Sequence, residues 1–221
     1  MDKTKAKNKM RTPDAEVAYR SYQGVQEFRA ITEDDAKKVE GHPAVFGKPA
    51  DIGGWFQETI ERGAFDGCDF TDVLLFVNHE QEKIPLARSR RNNGNSTMTL
   101  DVDDTGLHMV ASLDTENNAE ARAVFSSIER GDMDGMSFCF RVKEDKWDNV
   151  DSEYPTRHIL KISKVYEVSA VNNPAYPDTD ISARNDKAAL DNARKAVETA
   201  RSKEVETSIE VLKLKNEILS K

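Results

Sequence analysis

Cysteine is scarce: Cys68 and Cys139 are the only two in 221 residues. They lie far apart with no His or Cys neighbour at metal-ligand spacing, so no zinc site is suggested. A single disulfide would suit a secreted chain, and nothing else suggests secretion. Long apolar runs are also missing. No stretch approaches the roughly 18 residues that cross a bilayer. Residues 1–11 are basic without an apolar segment, so no signal peptide is expected and the chain reads as cytosolic in the cell that makes it. There is no phosphate-cradling Gly-rich loop and no dinucleotide fingerprint, so no cofactor is expected. Positive charge is short: 32 Lys and Arg stand against 40 Asp and Glu, a net charge of −8. That balance argues against nucleic acid or an anionic membrane as the main partner. One basic loop with Arg88, Arg90 and Arg91 is the only support for nucleic-acid binding.

What is present divides into three parts. Residues 1–25 form a basic arm with Lys3, Lys5, Lys7, Lys9 and Arg11, the composition of a flexible, solvated end. Residues 26–182 read mostly as strand. The run 73–77 is almost continuously apolar, as in a strand buried on both faces. Segments 97–102 and 106–113 read as a hairpin around an acidic turn closed by Gly106. One helix interrupts the strands. Asp114 or Thr115 can cap it, Ala119, Ala123, Val124 and Ile128 give its apolar stripe, and Gly131 lies past its end. In 136–142, Met136, Phe138, Phe140 and Val142 alternate onto one face, while Ser137, Cys139 and Arg141 take the other. In 164–171, Tyr166, Val168 and Ala170 oppose Glu167 and Ser169. Residues 183–221 form a helical tail. Leu190, Ala193, Val197, Ala200, Val205, Ile209, Leu212 and Leu219 recur at helical spacing. A lone helix cannot bury such a stripe, so it calls for the domain or a partner helix.

A serine nucleophile must be exposed, must have an imidazole to take its proton, and needs backbone N–H groups for the oxyanion. Alternation forces Ser137 off the apolar face and so predicts its exposure. The elbow G-x-S-x-G is incomplete, because Cys139 stands where the second Gly belongs, and this and the strand-rich pattern both argue against an α/β-hydrolase. His79 ends an apolar run, where a polar group projects from a rigid scaffold. By spacing alone, His79 is an ordinary surface or structural histidine, and Glu167 a carboxylate salt-bridged to a neighbouring strand.

Five segments, in order, resemble the prohead maturation proteases of tailed bacteriophages, relatives of the herpesvirus protease assemblin. They are Val39-Glu40-Gly41 with Ala44-Val45-Phe46; Phe56-Gln57-Glu58-Thr59-Ile60 with Arg62-Gly63-Ala64-Phe65; Asn78-His79-Glu80; Ile128-Glu129-Arg130-Gly131-Asp132 leading to Met136-Ser137-Phe138-Cys139-Phe140; and Glu167-Val168-Ser169-Ala170-Val171 with Pro174-Ala175-Tyr176-Pro177. The resemblance covers residues 26–182 and departs at Cys139, where Gly is common. It implies a mainly β fold with helices, closed or nearly closed into a barrel, followed by the amphipathic helix. It implies a serine endopeptidase with Ser137 as nucleophile, His79 as base and Glu167 as third member, with Glu80, His108 and His158 as alternatives for that third role. The Phe138 N–H is a candidate oxyanion donor. The implied partners are the phage major capsid protein and a scaffold segment, with self-association and self-cleavage, in the host cytoplasm and inside the prohead. A non-catalytic assembly or scaffolding protein with a protease-like fold is the alternative.

Overall fold

The computed structural model describes residues 17–22, 28–172 and 180–219. The lysines of the basic arm and the Pro174–Pro177 stretch lie outside the described residues. The elements run β1 (Val17–Tyr22), β2 (Arg29–Glu33), β3 (Ala36–Val45), β4 (Ala50–Ile52), β5 (Phe56–Ile60), β6 (Leu74–Val77), β7 (Ala87–Arg88), β8 (Met98–Val102), β9 (Gly106–Ser112), α1 (Ala119–Glu129), β10 (Gly135–Asp148), β11 (Thr156–Val171) and α2 (Asp180–Leu219).

The alternation in β10 organises the core. Its side chains Met136, Phe138 and Phe140 are fully buried, with the two phenyl rings stacked 4.4 Å apart. Burying each such side chain stabilises the fold by about 1.5–3 kcal/mol. β10 lies in a seven-stranded sheet ordered β1-β10-β11-β5-β4, in which β6 pairs with the other half of β11 and β7 with β6. The second sheet is ordered β2-β3-β9-β8. Where β3 passes β10, a Cβ on Gly41 would meet Met136 Sδ at 2.8 Å and the Phe28 Cα at 3.0 Å, so a larger residue would have to displace both neighbours.

The barrel implied by the resemblance does not form. Among the described residues β1 pairs only with β10, β4 only with β5, β2 only with β3 and β8 only with β9, so no ladder returns on itself. The reason lies in β11. One edge of this 16-residue strand pairs with β10. The other edge is shared, in parallel, by short β5 near Thr156 and short β6 near Ala170. Beyond them, among the described residues, lie only β4, of three residues, and β7, of two, which end the sheet, and the two sheets pack face to face around one core.

Three local readings also change. The cap of α1 is Asn118, whose side chain accepts the Glu120 and Ala121 N–H groups, whereas Asp114 closes the preceding turn by accepting from Asn117. β10 and β11 run well past 136–142 and 164–171, because their distal ends form a charged hairpin held by pairs such as Arg157–Asp145. Val17–Tyr22, within the segment read as an arm, is a strand.

The tail is one helix of 40 residues, about 60 Å long. Its first half packs Leu190, Ala193 and Val197 onto Ile52, Phe56 and Val150. Arg194 adds hydrogen bonds to the carbonyls of Val150 and Ser152. Further on, Val205, Ile209, Val211 and Leu212 are exposed. No helix among the described residues is long and apolar enough to cross a membrane.

Candidate active site

The site is built on three adjacent strands. Register across β1, β10 and β11 puts Ser21, Ser137 and Ser169 on one rung. The next rung holds Tyr19, Cys139 and Glu167. Since side chains two apart in a strand share a face, all six project to the same side, opposite Phe138.

His79 reaches that face from β6. The strand pairs with β11 up to Val77↔Ala170, and the chain then turns through Asn78 and His79, both left-handed at φ 48° and 60°. Asn tolerates that conformation, while a histidine there costs about 1–2 kcal/mol. Surrounding bonds hold it. Asn78 N–H donates to the Ala170 carbonyl at 2.9 Å, and Asn78 Oδ1 accepts the Asn172 N–H at 3.1 Å. His79 N–H donates to Ser169 Oγ at 3.2 Å.

The imidazole thereby lies between a hydroxyl and a carboxylate. His79 Nε2 is 2.6 Å from Ser137 Oγ, and Nδ1 is 2.5 Å from Glu167 Oε1. The other carboxylate oxygen, Glu167 Oε2, accepts the Ser169 hydroxyl at 2.7 Å. Glu167 is 1% exposed, and these two partners offset the cost of burying its charge. The carboxylate fixes the proton on Nδ1 and leaves the Nε2 lone pair facing Ser137.

Ser137 is not exposed as alternation predicts; its exposure is 0%. The cause is β1. Ser21 donates its hydroxyl to Ser137 Oγ at 2.9 Å, and the Arg20 carbonyl stands 2.8 Å from it. The single Ser137 proton therefore has two acceptors, His79 Nε2 and the Arg20 carbonyl. Tyr19 packs edge-on against the His79 ring, with centroids 5.0 Å apart, and its OH accepts from Gln81. Burial, together with Cys139 and Glu167, pushes the Tyr19 hydroxyl up to about 12, and burial likewise lifts the Cys139 thiol to about 12, so both stay protonated and neutral. Both edges of β10 are paired at Phe138, with Arg20 on one side and Val168 on the other, which leaves its N–H no open side toward a substrate while β1 is docked.

The other candidates sit elsewhere. Glu80 pairs with Lys83. His108 lies against His42 in the four-stranded sheet. His158 bonds Glu61 at 2.6 Å and Asp148 at 3.2 Å. Arg88 of the basic loop is paired with Asp72 at 2.7 Å. Four residues at or beside the site escaped the sequence reading: Ser169, Ser21, Tyr19 and Arg20. Ser169 had a signal, because it follows Glu167 by two in a strand. The three β1 residues had none beyond their place in a polar arm.

A hydroxyl, an imidazole and a buried carboxylate in hydrogen-bonded series form the constellation of serine hydrolases, held here on a two-sheet β fold. The chain belongs to the caudovirus prohead serine protease family, whose sequence model matches residues 25–194. The match takes in every element from β2 to β11 and α2 as far as Arg194, and begins after β1. No curated protein and no solved structure matches the chain.

Proposed function

We propose that the chain is an endopeptidase of capsid maturation that cleaves scaffold or coat-protein segments, and itself, inside the phage prohead. The observation that carries this reading is the series Ser137–His79–Glu167, at 2.6 and 2.5 Å, lying within the span shared with the family. Ser137 Oγ attacks the scissile carbonyl carbon while its proton passes to His79 Nε2. Glu167 stabilises the imidazolium and keeps its orientation. His79 then returns the proton to the leaving amine, and an acyl group remains on Ser137 until water, activated by the same imidazole, releases it. Backbone N–H groups uncovered beside Ser137 when a substrate replaces β1 would hold the oxyanion.

The enzyme is made in the host cytoplasm and acts within the prohead, with the major capsid protein and scaffold segment as partners. The alternative, a non-catalytic assembly protein, draws support from the exposed stripe of Val205, Ile209 and Leu212, a surface suited to a partner helix. Co-expression with the coat and scaffold proteins of the same phage separates the two. Wild-type chain should yield fragments, and Ser137→Ala, His79→Ala and Glu167→Ala should leave both proteins whole. Equal processing by wild type and Ser137→Ala, or none by either in assembled proheads, contradicts the peptidase.

A further inference from the structure

β1 sits where a peptidase needs its substrate to sit. Enzymes that read an extended chain can take it as an added strand on a sheet edge, where main-chain bonds give affinity and alternate side chains fall into pockets. β10 carries Ser137 and has two edges. One is closed by β11, the strand of Glu167. The other is covered by β1, antiparallel, from Val17↔Arg141 to Tyr22↔Met136. That pairing lays the Arg20–Ser21 peptide group against the nucleophile, with the Arg20 carbonyl oxygen 2.8 Å from Ser137 Oγ and the Ser21 hydroxyl 2.9 Å from it.

The side chain of Arg20 points the other way, into a buried acidic pocket. Its guanidinium meets Glu58 at 2.5 and 2.9 Å and Asp186, from α2, at 2.8 Å. Arg20 is 1% exposed. Burial works against its charge, but the two carboxylates more than reverse that and hold it fully charged. Glu58 lies in β5 and Asp186 in α2, so the pocket belongs to the part of the chain matched by the family, while Arg20 does not. Thus the matched span provides an open strand edge, a nucleophile on that edge and a socket for a guanidinium. A short segment outside it fills all three.

We propose that β1 stands in for the substrate: the β10 edge binds an extended peptide whose arginine enters the Glu58–Asp186 pocket, and β1 must leave before another chain reaches Ser137. The proposal rests on the peptidase reading of Ser137 and His79. It adds the substrate's conformation, the side chain it presents and the segment that excludes it.

The test follows the rate at which a fluorophosphonate probe modifies Ser137 in the full chain, read by intact mass. Arg20→Ala removes the anchor and should label roughly tenfold or more faster than wild type, as the open fraction rises. A second variant does not depend on that substitution folding well. Tyr19 and Cys139 are directly opposed, and opposed residues in antiparallel strands lie about 4.5–5.5 Å apart, within disulfide range. Tyr19→Cys therefore tethers β1 when oxidised, and labelling should stop on oxidation and return on reduction. A peptide copying residues 17–22 should slow labelling of Arg20→Ala, and the same peptide with Glu in place of Arg should not.

Equal labelling of wild type and Arg20→Ala, with oxidised Tyr19→Cys as reactive as reduced, overturns the proposal and leaves Ser137 as nucleophile. If no form labels although hydrogen exchange shows the β1 amides open, the peptidase reading itself falls.

Discussion

Ser169 donates its hydroxyl to Glu167 Oε2 at 2.7 Å while accepting the His79 backbone N–H at 3.2 Å. One side chain thus aims the carboxylate and pins the left-handed turn that presents the imidazole. Ser169→Ala should lower kcat by roughly tenfold to a hundredfold, the worth of one hydrogen bond to a charged group, and leave KM nearly unchanged. Steady-state kinetics on a peptide substrate check this. An unaltered kcat would show that Glu167 needs no such support.

Glu167→Gln keeps the shape of the buried side chain and removes its charge. An amide at this position no longer holds the proton on His79 Nδ1, nor stabilises the imidazolium. Activity should fall by roughly 10⁴-fold, the cost of the wrong tautomer in a triad. Thermal unfolding measured alongside separates lost chemistry from lost structure.

Acid should loosen β1 through Glu58. Burial pushes this carboxyl up, but Arg20 and Arg157 more than reverse it and hold it below its ordinary value of 4.5. A depressed folded-state value contributes stability that is present above the ordinary carboxylate range and is lost as pH falls through the folded one. The melting temperature of wild type should therefore drop as pH goes below about 4.5. Glu58→Gln leaves Arg20 and Arg157 without this carboxylate, so it should start lower at pH 7, by about 3–5 kcal/mol, and decline less steeply in acid. Calorimetry from pH 7 to pH 3 would show whether the two curves converge.

The two halves of α2 should respond differently to truncation of one leucine. Leu190 is 5% exposed and fills a satellite core with Phe56 and Val150, so Leu190→Ala should cost about 2–5 kcal/mol. Leu212 is 59% exposed, and Leu212→Ala should change stability by less than about 0.5 kcal/mol. Urea unfolding of both variants measures the contrast.

The elements that carry the site were legible where their pattern is local. Met136, Phe138 and Phe140 announce a strand by alternation, and the run ending at Val77 announces a strand buried on both sides, as Leu75 and Phe76 show. The meeting of His79, Ser137 and Glu167 was not legible from spacing. They lie 58 and 88 positions apart along the pairs they form, and only the ordered family motifs linked them. β1 was hidden for a related reason. Its six residues have no apolar period and follow a run of lysines. What makes them a strand is distant: the open edge of β10, and carboxylates 38 and 166 positions from Arg20. The closed barrel failed because the sequence does not show how two short strands divide the edge of β11 between them.

The most direct test of the account is to find which atom becomes covalently modified when the active chain meets a serine-directed phosphonate. Peptide mapping of the full-length Arg20→Ala protein should place the adduct on Ser137, and His79→Ala in the same background should abolish it. An adduct on Ser21 or Ser169 instead, or one on Ser137 whose rate does not depend on His79, would contradict the account.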